Sequence, residues 1–167
     1  LARSPVPVAA AITGHSPAGG AVLTLYCDYR IMADGPYRIG LNETQVGLVV
    51  PDVIQAAMRR LLGAHRAERL MVAGAMIESS EAHRIGLVDE LIDAEHVVER
   101  AIAWLQDLLK LAPHAMSETR RIARADLRAL FDAHNATSDE AFLACWFSDE
   151  AQRVLGEMVA MLKAKRG

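Results

Sequence analysis

The stretch that decides the fold runs from Pro5 to Leu48, PVPVAAAITGHSPAGGAVLTLYCDYRIMADGPYRIGLNETQVGL. Its first part, PVPVAAAIT from Pro5 to Thr13, is apolar with little alternation, and Gly14 closes it. A short continuous apolar run of this kind predicts a buried strand, with Pro5 and Pro7 at its start, where a missing donor is tolerated. GHSPAGG, Gly14 to Gly20, is rich in turn residues, and the wholly apolar AVLTLYC, Ala21 to Cys27, predicts a helix. Gly14–Gly20 is therefore a strand-to-helix connection whose last residues form the helix N-terminus. Tyr29–Ala33 reads as a second strand, Asp34-Gly35-Pro36 as a turn and Tyr37–Gly40 as a short third strand.

Outward from this block, Pro51 and Asp52 open a helix through Leu62 that Gly63 closes. Further helices are expected at His65–Ala73, ended by Gly74, and Ser80–Ile85, stopped by Gly86. Leu87–Ile92 suits an edge strand, and Asp93 is expected to cap a helix that carries Trp104 to Leu111. Beyond Pro113 the strand signal ends. Helical spacing covers Pro113–Ala125, Leu127–Asn135, Ser138–Phe147 and Asp149–Lys165, with Ser138 and Ser148 as helix-start signals before acidic pairs. The expectation is an α/β region over residues 1–111 and an all-helical region over 112–167.

The 167 residues suit one globular domain that buries roughly two-thirds of its unfolded surface. A formal net charge of −3 argues against sequence-independent binding of nucleic acid. With 52% hydrophobic residues the chain is no disordered solvating segment, and no apolar run reaches the roughly 18 residues of a membrane span. The two cysteines, Cys27 and Cys145, are read as reduced and buried. The six histidines form no HxxxH cluster and there is no CxxC, so a metal site is not expected. The chain begins Leu1-Ala2-Arg3 and shows no secretory signal, which leads to the expectation of the C-terminal part of a longer protein or a processed chain, not secreted.

Chemistry has a few candidate locations. Ala18-Gly19-Gly20 precedes an apolar helix, where free backbone amides are able to hold a developing oxyanion. A tight strand–helix packing turn explains the same glycines. Glu43 follows a short strand and lies beside the apolar GLVV run; desolvation there would raise its pKa and suit it to proton transfer. Local sequence alone favours a surface glutamate at a helix start. Asp28 is expected to cap or to pair with Arg30, and Cys27 lacks a neighbouring histidine to act as nucleophile. His15 is expected to be partly exposed loop. Arg120-Arg121-Ile122-Ala123-Arg124 reads as a solvated helix face, with binding of an anionic ligand as the alternative.

Taken together, Pro5–Leu48 resembles the crotonase superfamily, the enoyl-CoA hydratase/isomerase family. The order matches: apolar strand, G-x-x-x-x-G-G loop, apolar helix, a CDYRIMAD strand and a Gly-x-x-Glu. HRAERLMVAGAMIESSEAHRIGLVDELI, His65–Ile92, looks like the family's next segment, and the helical tail resembles its trimerisation helices. The resemblance implies the C-terminal part of a ββα spiral core followed by a helical trimerisation region. Family members are about 90–100 residues longer at the N-terminus, a half that carries a CoA-binding loop and one of two oxyanion amides. SPAGG, CDYRIMAD and IGLNE look most like the mitochondrial-type Δ3,Δ2-enoyl-CoA isomerase branch.

For the site, the resemblance implies Glu43 as the catalytic proton carrier and the Gly19 amide in the oxyanion hole. Asn42, Gly20 and Ala18 would contact the substrate. Hydratases of the family carry another glutamate two residues beyond the Gly-Gly, where Val22 stands here. One carboxylate suits isomerisation in fatty-acid β-oxidation better than addition of water. No metal or redox cofactor is implied; CoA enters as part of an acyl-CoA thioester substrate. A homotrimer or dimer of trimers is implied, in the cytoplasm of a bacterium or the mitochondrial matrix of a eukaryote. Hydration or thioester hydrolysis, and a non-catalytic oligomerisation module, remain as alternatives.

Overall fold

The computed structural model describes residues 1–133 and 136–164. Its centre is β3 (Tyr29–Ala33), which pairs in parallel with β1 (Ala9–Ile12) on one side and β6 (Glu90–Ile92) on the other. A central parallel strand is covered on both faces, which is why YRIMA carries apolar residues without alternation. Successive side chains still point to opposite faces. Met32 joins the main core, while Ile31 and Ala33 meet Val97 and Ala101 of α5 (Val97–Leu108). On the same flank the rings of Tyr29 and Trp104 stack at 4.8 Å.

A second sheet has the order β2 (Ser16–Pro17), β4 (Arg38–Gly40), β5 (Ile77–Glu78). β2 and β4 are parallel, with Ser16 opposite Ile39 and Pro17 opposite Gly40; β4 and β5 are antiparallel. Four helices pack with the sheets, α1 (Gly19–Leu25), α2 (Asp52–Leu62), α3 (Ala64–Val72) and α4 (Ser79–Arg84), of which α4 contacts strands of both. Their inner faces supply Ala21, Leu25, Met58, Leu62, Ala67, Met71 and Ala82 to the main core.

The C-terminal helices are α6 (Pro113–Ala123), α7 (Ala125–Ala133), α8 (Ala136–Trp146) and α9 (Asp149–Ala164). Leu127 of α7 is buried in the main core, and Phe131 packs on Tyr26 at 5.5 Å between ring centres. Ser148 caps α9: its hydroxyl accepts the Ala151 amide at 3.2 Å. The expected helix ends at Asn135 and Lys165 lie outside what the structure describes, and α8 already covers Ala136 and Thr137, ahead of the expected start at Ser138.

Several sequence expectations need correction. The first strand is confined to Ala9–Ile12, and the loop after it contains β2, a strand too short for any period to show. The two-residue β5 was also missed. α1 starts at Gly19, two residues early, and α5 starts at Val97 because a turn closed by the His96 amide on the Asp93 carbonyl intervenes. Leu87 and Val88 are core residues ahead of β6, outside the strand.

The charge assignments change most. Asp28 pairs with Arg120 and Arg124 of the C-terminal part, at 2.8 Å each, while Arg30 pairs with Asp89 at 2.8 Å. The Asp28 carboxylate also accepts the Val8 amide at 2.8 Å. Arg120 and Arg124 are therefore almost buried, and only Arg121 of that run is a solvated pair partner, on Glu118. Cys27 is buried as expected, and burial pushes its thiol pKa up, away from nucleophilic use. Cys145 is only half-buried.

Candidate active site

The two parallel strands β2 and β4 fix the site. Neighbouring parallel strands lie about 4.8 Å apart and end at the same edge of the sheet. Ala18 leaves β2 at that edge and leads into α1; Leu41-Asn42-Glu43 leaves β4 at the same edge. One hydrogen bond extends the pairing past β2, from the Ala18 amide to the Gly40 carbonyl at 3.0 Å. The segment that carries Gly19 and the segment that carries Glu43 thus diverge from adjacent residues.

Ala18 sits at φ 45°, the single non-glycine residue with positive φ among those described. Such a conformation is costly for a residue with a Cβ and marks a backbone held by its surroundings. The strain turns the chain sharply from β2 into α1. The first helical bond is donated by Val22 to the Ala18 carbonyl at 2.9 Å. The amides of Gly19, Gly20 and Ala21 precede the helical ladder. Gly19 and Gly20 are exposed, and no atom stands within 4 Å of where a Gly19 Cβ would be. A ligand carbonyl is free to approach this backbone.

Glu43 opens a one-turn 3-10 helix, Glu43–Val46, and is buried, at 8% exposure. The expectation of a surface glutamate is overturned, because the turn is covered from both sides by α3 and α9. Its Oε2 is buried without a hydrogen-bond partner. Burial holds its pKa above the ordinary carboxylate range, and a hydrogen bond from its own backbone amide offsets part of that rise. A carboxylate that is desolvated, raised in pKa and left with one oxygen free of partners is suited to accept and return a proton. Next to it, Asn42 is half-buried and its Oδ1 is likewise buried without a partner. Two polar atoms on consecutive residues thus await partners.

Gly40 has no room for a side chain: a Cβ there would stand 2.1 Å from the Ala75 carbonyl oxygen. Val22 is partly buried against the main core, one turn into α1. His15 is exposed as expected, and its Nδ1 accepts the Arg38 amide at 3.0 Å. Sequence reasoning missed the supports of the Glu43 turn, namely Thr44, Gly47, Gly74 and Ala151. Gly47, four residues after the candidate glutamate, was the available signal.

A sequence model described as enoyl-CoA hydratase/isomerase matches residues 1–164. The chain belongs to the enoyl-CoA hydratase/isomerase family. It is 31% identical over 168 residues to the human mitochondrial enoyl-CoA delta isomerase 1, an alignment that covers 100% of this chain and 56% of that protein. It is 33% identical over 136 residues to a probable enoyl-CoA hydratase from Mycobacterium avium, covering 81% of this chain and 51% of that protein. Its fold superposes on the crystal structure of human mitochondrial delta3-delta2-enoyl-CoA isomerase with a TM-score of 0.92 and 30% identity, covering 99% of this chain and 65% of that one. The chain therefore has the crotonase fold with its helical C-terminal region, and spans a little over half the length of these curated relatives. No helix among the described residues is long and apolar enough to cross a membrane.

Proposed function

We propose that the protein is an enoyl-CoA isomerase that moves a double bond from the 3,4 to the 2,3 position through Glu43. The buried Glu43 carboxylate, with its Oε2 unpartnered, at the sheet edge from which Gly19 also emerges, carries this reading. The thioester carbonyl accepts the Gly19 amide and a second amide from the segment that precedes the matched part in the longer relatives. These donors stabilise the negative charge that develops on the oxygen. The Glu43 carboxylate takes a proton from C2, which leaves a dienolate. Glu43, now protonated, returns the proton to C4, and the product is the conjugated 2-enoyl thioester. Asn42 lines the acyl site, with Ala18 and Gly20 beside the carbonyl. No metal or redox group takes part in these steps.

Hydration is the competing reading, supported by the similarity to the probable hydratase of M. avium. Holding and activating a water calls for a second carboxylate, and Val22 is partly buried at that place. Self-association as a homotrimer or dimer of trimers belongs to the same proposal. Leu143 and Phe147 of the α8 end, with Met161 and Leu162 of α9, stand exposed and offer an apolar surface for it.

Product analysis separates the readings. Incubation with a 3-enoyl-CoA is expected to yield the 2-enoyl-CoA, and incubation with a 2-enoyl-CoA is expected to yield no 3-hydroxyacyl-CoA. Accumulation of the hydroxy product would replace isomerisation with hydration.

A further inference from the structure

The turn that bears Glu43 is held by a contact from the far end of the chain. Gly47 closes the turn in the left-handed region, at φ 75°. A Cβ at Gly47 would stand 2.9 Å from the Ala151 Cα, so the backbones of the turn and of α9 touch directly. Ala151 is fully buried, at 0% exposure, while residues on both sides of it are exposed. The Cys145 thiol of α8 donates to the Gly47 carbonyl at 3.5 Å. Ser148 ties these contacts together, donating to the Cys145 carbonyl at 2.8 Å and accepting the Ala151 amide at 3.2 Å.

The opposite side of the turn is equally tight. The Thr44 hydroxyl donates to the Met71 carbonyl at 3.3 Å, and a Cβ on Gly74 would lie 2.6 Å from the Thr44 Oγ1. Within the turn the Leu48 amide returns to the Glu43 carbonyl at 2.9 Å. Movement at Gly47 is therefore passed to Glu43, because the other side has no slack.

We infer that Ala151 is a positioning residue for Glu43, setting the place of its carboxylate by packing against Gly47. Ala151 acts through the turn, on the base assigned under the proposed function, and the inference rests on that reading for its catalytic consequence. A displacement on the scale of 1 Å from remote packing costs about 10²-fold in rate. The charged groups closest in sequence to these contacts are Arg69 on α3 and Asp149, Glu150 and Arg153 on α9, all exposed. None of them contributes to the shift of Glu43, whose leading cause is burial.

The test compares Ala151→Gly, Ala151→Val and, as a control on the exposed face of α9, Ala160→Val. Two quantities are read: steady-state turnover of a 3-enoyl-CoA and the Glu43 titration by carboxyl 13C NMR, assigned by its absence in Glu43→Gln. The Ala151 variants are expected to lower kcat by about 10- to 100-fold with KM little changed. Their Glu43 titration is expected to move toward the ordinary carboxylate range, and Ala160→Val is expected to leave both readouts alone. If Ala151→Val does not fold, Ala151→Gly, which adds no atom, still decides. Unchanged titration and kcat in a folded Ala151 variant would overturn the inference, and so would equal changes in Ala160→Val. If Glu43→Gln keeps full turnover while the Ala151 variants move the Glu43 titration, the proton-carrier reading fails and the positioning stands.

Discussion

The Ala18 amide donates to the Gly40 carbonyl at 3.0 Å, and this bond joins the helix start that offers Gly19 to the strand that delivers Glu43. Two segments about twenty residues apart in sequence are thereby placed side by side. The bond follows from the parallel pairing of β2 with β4 and extends it by one residue.

Gly40 is the position where this arrangement tolerates least. Gly40→Ala places a Cβ 2.1 Å from the Ala75 carbonyl, on the strand side where β4 meets β5. Backbone on both sides must move apart, and overpacking of this kind costs about 1–3 kcal/mol or more. Urea unfolding of Gly40→Ala is expected to show a lower midpoint with an unchanged m value, and turnover is expected to fall with it.

Stability should carry the signature of Glu43. Its pKa is raised in the folded protein, so the folded state holds the proton more tightly than the unfolded chain. Between the ordinary and the raised value, stability falls as pH rises, and above the raised value Glu43 is a standing cost. Glu43→Gln removes that ionisation. The melting temperature of the variant relative to the parent is expected to be higher at pH 8 than at pH 4. An equal difference at both values would show that Glu43 does not pay for its burial.

The Asp28 pair with Arg120 and Arg124 ties the C-terminal helices to the start of β3. The Asp28 side chain is 16% exposed and its partners 10% and 8%. Asp28→Asn leaves two nearly buried guanidinium groups without their carboxylate, a change that costs about 3–5 kcal/mol. Chemical denaturation of the variant is the check. A loss under about 1 kcal/mol would mean that the pair behaves as an exposed one.

The order of the larger elements was legible because each has a local cause. Gly63 ends α2 at φ 76°, Ser148 caps α9, and the apolar run Ile31-Met32-Ala33 of β3 reflects cover on both faces. The two-residue strands β2 and β5 were not legible, since they exist only through pairing with β4. Burial of Glu43 was hidden for a similar reason. The turn that carries it is covered by α3 and α9, far away in sequence, and a window around IGLNE contains neither. Asp28 shows the same limit: its sequence neighbour Arg30 is bound to Asp89, and its true partners lie about ninety residues downstream.

The central claim is that Glu43 carries the proton. It is tested most directly by the rate of conversion of a 3-enoyl-CoA to the conjugated 2-enoyl-CoA, measured at saturating substrate for the protein and for Glu43→Gln. Loss of a positioned general base predicts a fall in kcat of about 10²–10⁴-fold with the fold intact by circular dichroism. Equal rates for the two proteins would contradict the account and move the search for the base away from the β4 edge.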